Sequence, residues 1–282
     1  MPINTDPDAG FGRGRFGGDP GTAGLEVSNV AEILFYERPV PLNRNEHKNL
    51  RLKPLESLKF ALNAHSVPLT GAEFAVAARD LMIVFGGKTI AEAGPMAVLG
   101  LRENENLYVD AEGKWERDTY IPAFVRRYPF VLAEKPAGTE GDDFTVFLDE
   151  AYSGFNPSEG ERLFQEDGTN SERLTKAIGF LGEFQDQVSR TKWFMEQLVK
   201  HDLLESRSLR LEKGGKTINL NGLFMVNEDK LRALDATVTQ ELLVSGAMGW
   251  IYAHLLSLIN IDRVAQRLSQ RELTEAANKT TN

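Results

Sequence analysis

Apolar and polar residues alternate strictly in Leu50-Arg51-Leu52-Lys53, which predicts a half-buried strand, and residues 31–37 predict an earlier one, with Pro39 and Pro41 between the two. Two continuous apolar runs follow. Residues 81–85, stopped by Gly86-Gly87, and residues 96–101, opened by Pro95, suit strands buried on both faces. Ahead of them, Thr70 and Glu73 stand at capping-box spacing in Pro68-Leu69-Thr70-Gly71-Ala72-Glu73-Phe74 and predict a short helix through Asp80. Residues 106–110 and Trp115 read as a strand, a glycine turn and a return; residues 144–148 read as a further strand, and residues 154–168 as a surface loop.

The period changes from two to 3.6 after Ser171. Leu174, Ile178, Leu181, Phe184, Val188, Met195 and Leu198 recur at helical spacing, Thr169 and Glu172 form a second capping box, and Gly179 with Gly182 predicts a bend or a close approach. Residues 208–211 and 217–220 form a hairpin across Lys213-Gly214-Gly215-Lys216, extended or followed by residues 223–226. The acids Glu228 and Asp229 then open helices that run, with breaks, to about Arg271. The pattern as a whole is an α+β fold, late helices covering a largely antiparallel sheet that could close in jelly-roll fashion. It is expected to form one domain over residues 25–271, between a Gly-rich tail (1–24) and a frayed end (272–282).

The densest chemistry lies in residues 120–130, where four aromatics, two prolines and the pair Arg126-Arg127 share eleven positions. Read as an extended segment, it sends neighbouring side chains to opposite faces, so at least one guanidinium needs a partner. That partner is either a buried carboxylate or an anionic ligand. Arg126, Arg127 and Tyr128 are therefore candidate ligand-binding residues near the centre of the fold, at least one arginine being paired with an acid or lining a pocket. His65 and Glu73 join them as a pair that could meet in space.

Composition removes several function classes. The chain has 282 residues and no cysteine, so disulfides, thiolate catalysis and Cys-ligated metals are excluded. A net charge of −9 disfavours nucleic acid as a partner. Residues 1–24 carry acids and seven glycines instead of a basic start and an apolar run, which reads as a flexible tail and not a secretory signal, so a cytoplasmic location is expected. Residues 242–261 carry no formal charge with His254 neutral and are long enough to span a bilayer, but Ser245, Gly246, Gly249, His254, Ser257 and Asn260 within them favour a buried helix of a soluble protein. No membrane insertion is expected.

Familiar catalytic motifs are missing or incomplete. Gly12-Arg13-Gly14-Arg15-Phe16-Gly17 matches the dinucleotide fingerprint without its strand and helix, and Gly87-Lys88-Thr89 and Gly215-Lys216-Thr217 lack the first glycine of a phosphate loop, replaced by Met82 and Arg210. His47, His65, His201 and His254 form no HExxH pair and no facial-triad spacing, so no metal ligand and no cofactor is assigned. His254 reads as a hydrogen-bonded core histidine, and Asp142-Asp143 as part of a solvated loop. Catalytic residues remain unknown.

The ordered set His47-Lys48-Asn49-Leu50-Arg51-Leu52, Pro68 to Phe74, Ile83-Val84-Phe85, Asn106-Leu107-Tyr108-Val109-Asp110 and residues 120–130 resembles the bacterial SapC family. Leu163-Phe164, Asp167-Gly168, Gly222-Leu223 and Tyr252-Ala253-His254-Leu255-Leu256-Ser257 continue the resemblance. The family takes its name from a surface-layer-associated protein and supplies no catalytic residues to carry over. Its members' genomic company of TonB-dependent receptors, flavin halogenases and iron oxygenases implies nutrient uptake or peptide tailoring. The resemblance thus implies a non-catalytic accessory protein with a protein or peptide partner or a small anionic ligand. The alternatives are an iron/2-oxoglutarate oxygenase-like protein acting on a peptide, the one case that calls for iron and 2-oxoglutarate, and a surface-layer structural role.

Overall fold

A computed structural model describes residues 34–134, 144–213 and 216–280. The expected tail, the fingerprint of residues 12–17, residues 31–33 of the first expected strand, Asp142-Asp143 and the glycines of the 213–216 turn lie outside them. Among the described residues eleven strands are arranged in antiparallel sheets: β1 (Pro39–Pro41), β2 (Arg51–Leu52), β3 (Ser66–Pro68), β4 (Met82–Gly86), β5 (Gly94–Val98), β6 (Phe130–Glu134), β7 (Phe144–Asp149), β8 (Phe155–Asn156), β9 (Glu161–Arg162), β10 (Leu204–Lys213) and β11 (Lys216–Val226). The largest sheet has five strands in the order β10-β11-β4-β5-β3, and two smaller ones are ordered β1-β7-β6 and β8-β2-β9. The helices are α1 (Phe74–Ala77), α2 (Ala123–Arg126), α3 (Glu172–Lys200), α4 (Glu228–Arg232), α5 (Ala236–Val244), α6 (Ala247–Ser257) and α7 (Ile261–Thr280). The fold is α+β, with sheets mostly in the N-terminal half and helices at the C-terminus. The last helix continues past the expected limit at Arg271.

The continuous apolar run of β4 has a direct cause. Ile83 and Phe85 enter the main core, while Met82 and Val84 enter a second core that α7 closes with Val264, Ala265 and Leu268. Both faces of the strand are covered, so neither can be polar. Helix α3 joins the sheets: Leu174 and Leu181 pack with Leu52, Phe130 and Leu148 of the small ones, and Phe194 and Leu198 pack in the main core.

A polar ladder fastens the late helices to the large sheet. Ile83 O can only accept, so His254 Nδ1 carries the proton and donates to it at 2.9 Å, leaving Nε2 to accept from Val226 N–H at 3.2 Å. One turn on, Ser257 Oγ accepts from Ile83 N–H at 2.9 Å, and Asn260 Nδ2 donates to Ala78 O at 2.7 Å and Leu81 O at 3.0 Å. The spacing of three puts all three side chains on one face. Burial pushes the His254 ring down to a pKa of about 4, opposed by its bond to Ile83. His254 is thus the hydrogen-bonded core histidine expected from the sequence.

Several local expectations are corrected. Residues 34–37 form a turn and bend, and pairing starts only at β1. Helix α3 is capped by Ser171, whose hydroxyl accepts from Leu174 N–H at 3.1 Å, whereas Thr169 turns its hydroxyl to Asp167 at 2.7 Å. Gly179 and Gly182 lie inside an unbroken helix, and a Cβ at either would meet nothing within 4 Å, so no close approach explains them. The uncharged run of residues 242–261 is split at Gly246, which has φ +83°. Among the described residues no single helix is long and apolar enough to cross a membrane; α5 taken together with the helical stretch Ala247–Ala277 could by length and composition, but the two meet at a bend of 86°.

Candidate functional site

Residues 120–130 are not extended throughout. Pro122 precedes the single turn of α2, and Glu73 Oε1 accepts from Ala123 N–H at 2.7 Å at its start. The same carboxylate works in two directions. Its Oε2 accepts from Thr70 N–H at 2.9 Å and the Thr70 hydroxyl at 2.8 Å, and its Oε1 also accepts from the Tyr120 hydroxyl at 3.0 Å. Asp80 Oδ2 takes Tyr120 N–H at 2.9 Å, so two acids of the α1 region hold the backbone that carries the arginines. The acid therefore braces the main chain and a phenol, where the sequence had suggested His65 as the residue it could meet.

A helical turn, not strand alternation, separates the two guanidiniums. Arg126 is exposed and donates from Nε to Ile121 O at 3.0 Å and from Nη2 to the Tyr120 hydroxyl at 3.3 Å, while its guanidinium lies 5.2 Å from the Phe180 ring centroid. Arg127 is turned inward, 7% exposed, with its guanidinium 4.1 Å from the Phe124 ring centroid and 5.3 Å from that of Phe184. Arg126 and Glu73 share one phenol, that of Tyr120, whose pKa is pushed up to about 12 by burial and then by Glu73. His65 is exposed, and its backbone carbonyl accepts from Leu99 and Gly100 while its ring joins no hydrogen bond or ion pair among the described residues. The structure brings Arg126, Arg127, Tyr128 and Glu73 into one region and leaves His65 outside it.

Arg126, Arg127 and Tyr128 line a cavity of about 260 Å³. Its remaining wall comes from α3, which presents Arg173, Lys176, Ala177 and Phe180 at the i, i+3, i+4, i+7 spacing of one helix face. Leu52 at the end of β2, Lys53 and Leu55 after it, together with Pro129, Phe130 and Tyr152, complete it. Lys53 N–H donates to Gly154 O at 3.0 Å, which fixes the 152–155 turn beside it. A Cβ at Gly154 would lie 2.3 Å from Tyr152 Cε1, so the glycine lets the Tyr152 ring lie where it does. The Tyr152 ring meets Tyr128 edge to face at 5.4 Å.

The cavity base is organised by Asp149, a residue the sequence reading did not single out. It is 0% exposed; its carboxylate accepts from Glu37, Arg38 and Ala151 N–H at 3.1, 2.9 and 3.1 Å and from the Tyr128 hydroxyl at 3.1 Å. Burial, and next the Asp149 charge, raise the Tyr128 phenol well above its ordinary range; burial raises Tyr152 against the opposing charge of Arg173. Both phenols stay protonated near neutral pH, which makes them hydrogen-bond donors and not bases. The signal for Asp149 was the first of two acids, Asp149-Glu150, that end the strand pattern of residues 144–148, visible but unspecific.

Three of the cations have acidic neighbours at the rim: Lys53 with Glu159, Lys176 with Glu172 at 2.5 Å, and Arg173 with Glu161 at 4.0 Å. These pairs are largely exposed and worth little. Among the described residues no group of three or more His, Asp or Glu is placed to hold a metal ion.

The fold is α+β, with a basic, ring-walled cavity between α2, α3 and the Tyr152 turn. The chain belongs to the SapC family, whose model matches residues 42–264 and so includes every residue lining the cavity. No curated protein and no solved structure matches it.

Proposed function

We propose that the chain is a binding protein without catalysis of its own, which takes a small anionic molecule, or the carboxylate end of a peptide, in the cavity between α2, α3 and the Tyr152 turn. One observation carries this reading. Lys53, Arg126, Arg127, Arg173 and Lys176 line the cavity and no acidic side chain does among the described residues, although the chain holds 41 acids against 32 bases. Concentrating positive charge against that background favours an anion. The aromatic and proline walls lower the local dielectric and strengthen the attraction. The wider assignment, an accessory role in TonB-dependent uptake or peptide tailoring, is drawn from the SapC resemblance.

The test is a melting series of the full chain against a panel of carboxylates and phosphates. A ligand at one hundred times its dissociation constant should stabilise the fold by about 2.7 kcal/mol. Replacing Arg173 and Lys176 together by glutamate should abolish that gain while leaving the unliganded melting point nearly unchanged, because Lys176 is exposed and Arg173 half-exposed. A panel without any stabilising anion, or an equal gain in the double variant, would count against the proposal.

A further inference from the structure

We infer that the cavity selects anions carrying a flat apolar body, aryl carboxylates or aryl phosphates, over aliphatic or inorganic ones. The inference rests on the anion-binding reading above and narrows its ligand. Apart from the inward-turned Arg127, charge and apolar surface are separated within the site. Lys53, Arg173 and Lys176 stand toward the rim, where their glutamate partners are exposed, whereas Tyr128, Pro129 and Phe130 are buried at the base. A ligand matching that polarity has a charged head and an apolar body.

Ring walls favour a flat body over a branched chain. Tyr128 and Tyr152 meet at an interplanar angle of 83°, so a third ring beside them can adopt the offset or edge-to-face contacts that aromatic groups prefer. On α3, Ala177 shares the lining face with Lys176 and Phe180 and adds only a methyl group to the wall. Size agrees: a cavity of roughly 150 Å³ holds benzene, and 260 Å³ leaves room for a head group as well. A bare phosphate would leave the apolar walls facing water and gain nothing from them. The rim ion pairs offer no strong competition, since exposed pairs of this kind contribute on the order of 1 kcal/mol or less.

Calorimetric titration of the full chain with two matched pairs, benzoate against acetate and phenyl phosphate against inorganic phosphate, tests the inference. Each aryl member should bind on the order of tenfold tighter or more than its partner, as burial of a ring requires. Comparing the two pairs shows which head group the rim prefers. Ala177→Leu fills the ring's space and should erase the advantage while the chain melts like wild type; Tyr152→Ala should reduce it. Equal affinities within both pairs overturn the aryl inference and leave the anion reading standing. Failure of all four probes to bind overturns both.

Discussion

Between about pH 7 and pH 4 the fold should lose stability through His254, whose ring is 0% exposed and bonded on both nitrogens to the large sheet. The folded pKa of about 4 lies below the ordinary value of 6.5. The unfolded chain therefore takes up the proton first as pH falls. The contribution is complete above the unfolded value, erodes between 6.5 and 4, and is flat below. At 1.36 kcal/mol per pKa unit, about 2 kcal/mol is gone by pH 5 and about 3 kcal/mol by pH 4. Physically, protonating Nε2 converts the acceptor facing Val226 N–H into a second donor. His254→Gln can keep both bonds, the amide nitrogen donating to Ile83 O and the amide oxygen accepting from Val226, without titrating. Urea unfolding of both proteins across this range gives the difference directly. If wild type and His254→Gln lose stability in parallel, the ring is not the titrating group and the reasoning fails.

Asp149→Ala removes the acceptor of three amides and the Tyr128 phenol, and should cost on the order of 3 kcal/mol in chemical denaturation; wild-type stability would show that water replaces it. Gly71→Ala places a Cβ 2.3 Å from Trp250 Cε3 and should cost about 1–3 kcal/mol with a shift in tryptophan emission, and an unshifted spectrum would contradict that contact. Gly154→Ala should push the Tyr152 ring from the cavity wall, weakening aryl-anion binding severalfold for a stability cost of about 1 kcal/mol; unchanged affinity would place that ring outside the site.

Elements set by local pattern were legible in the sequence. The run of residues 81–85 is apolar because both faces of β4 are buried, and α3 follows from its 3.6-residue period. Thr70 and Glu73 were readable as a helix start, but the second use of Glu73 was not, because Ala123 is its partner fifty residues on. That distant bond helps turn residues 123–126 into a helix where aromatics and prolines suggested a strand. The sequence pointed to Thr169 as the cap of α3, and only geometry shows that it is the Ser171 hydroxyl that reaches Leu174 N–H. The arginine pair, of which Arg127 lines the cavity from the inside, was legible as a pair needing partners. Its convergence with Lys53, Arg173 and Lys176 was not, since it depends on how β2 and α3 pack around Tyr128.

Amide chemical shifts of the isotopically labelled full chain, followed while benzoate or phenyl phosphate is added, locate the ligand most directly. The account predicts saturable shifts concentrated in residues 126–130, 152–155 and 173–180, which enclose the cavity. Shifts that stay flat at saturating anion, or that gather on α5 and α6 instead, would contradict it.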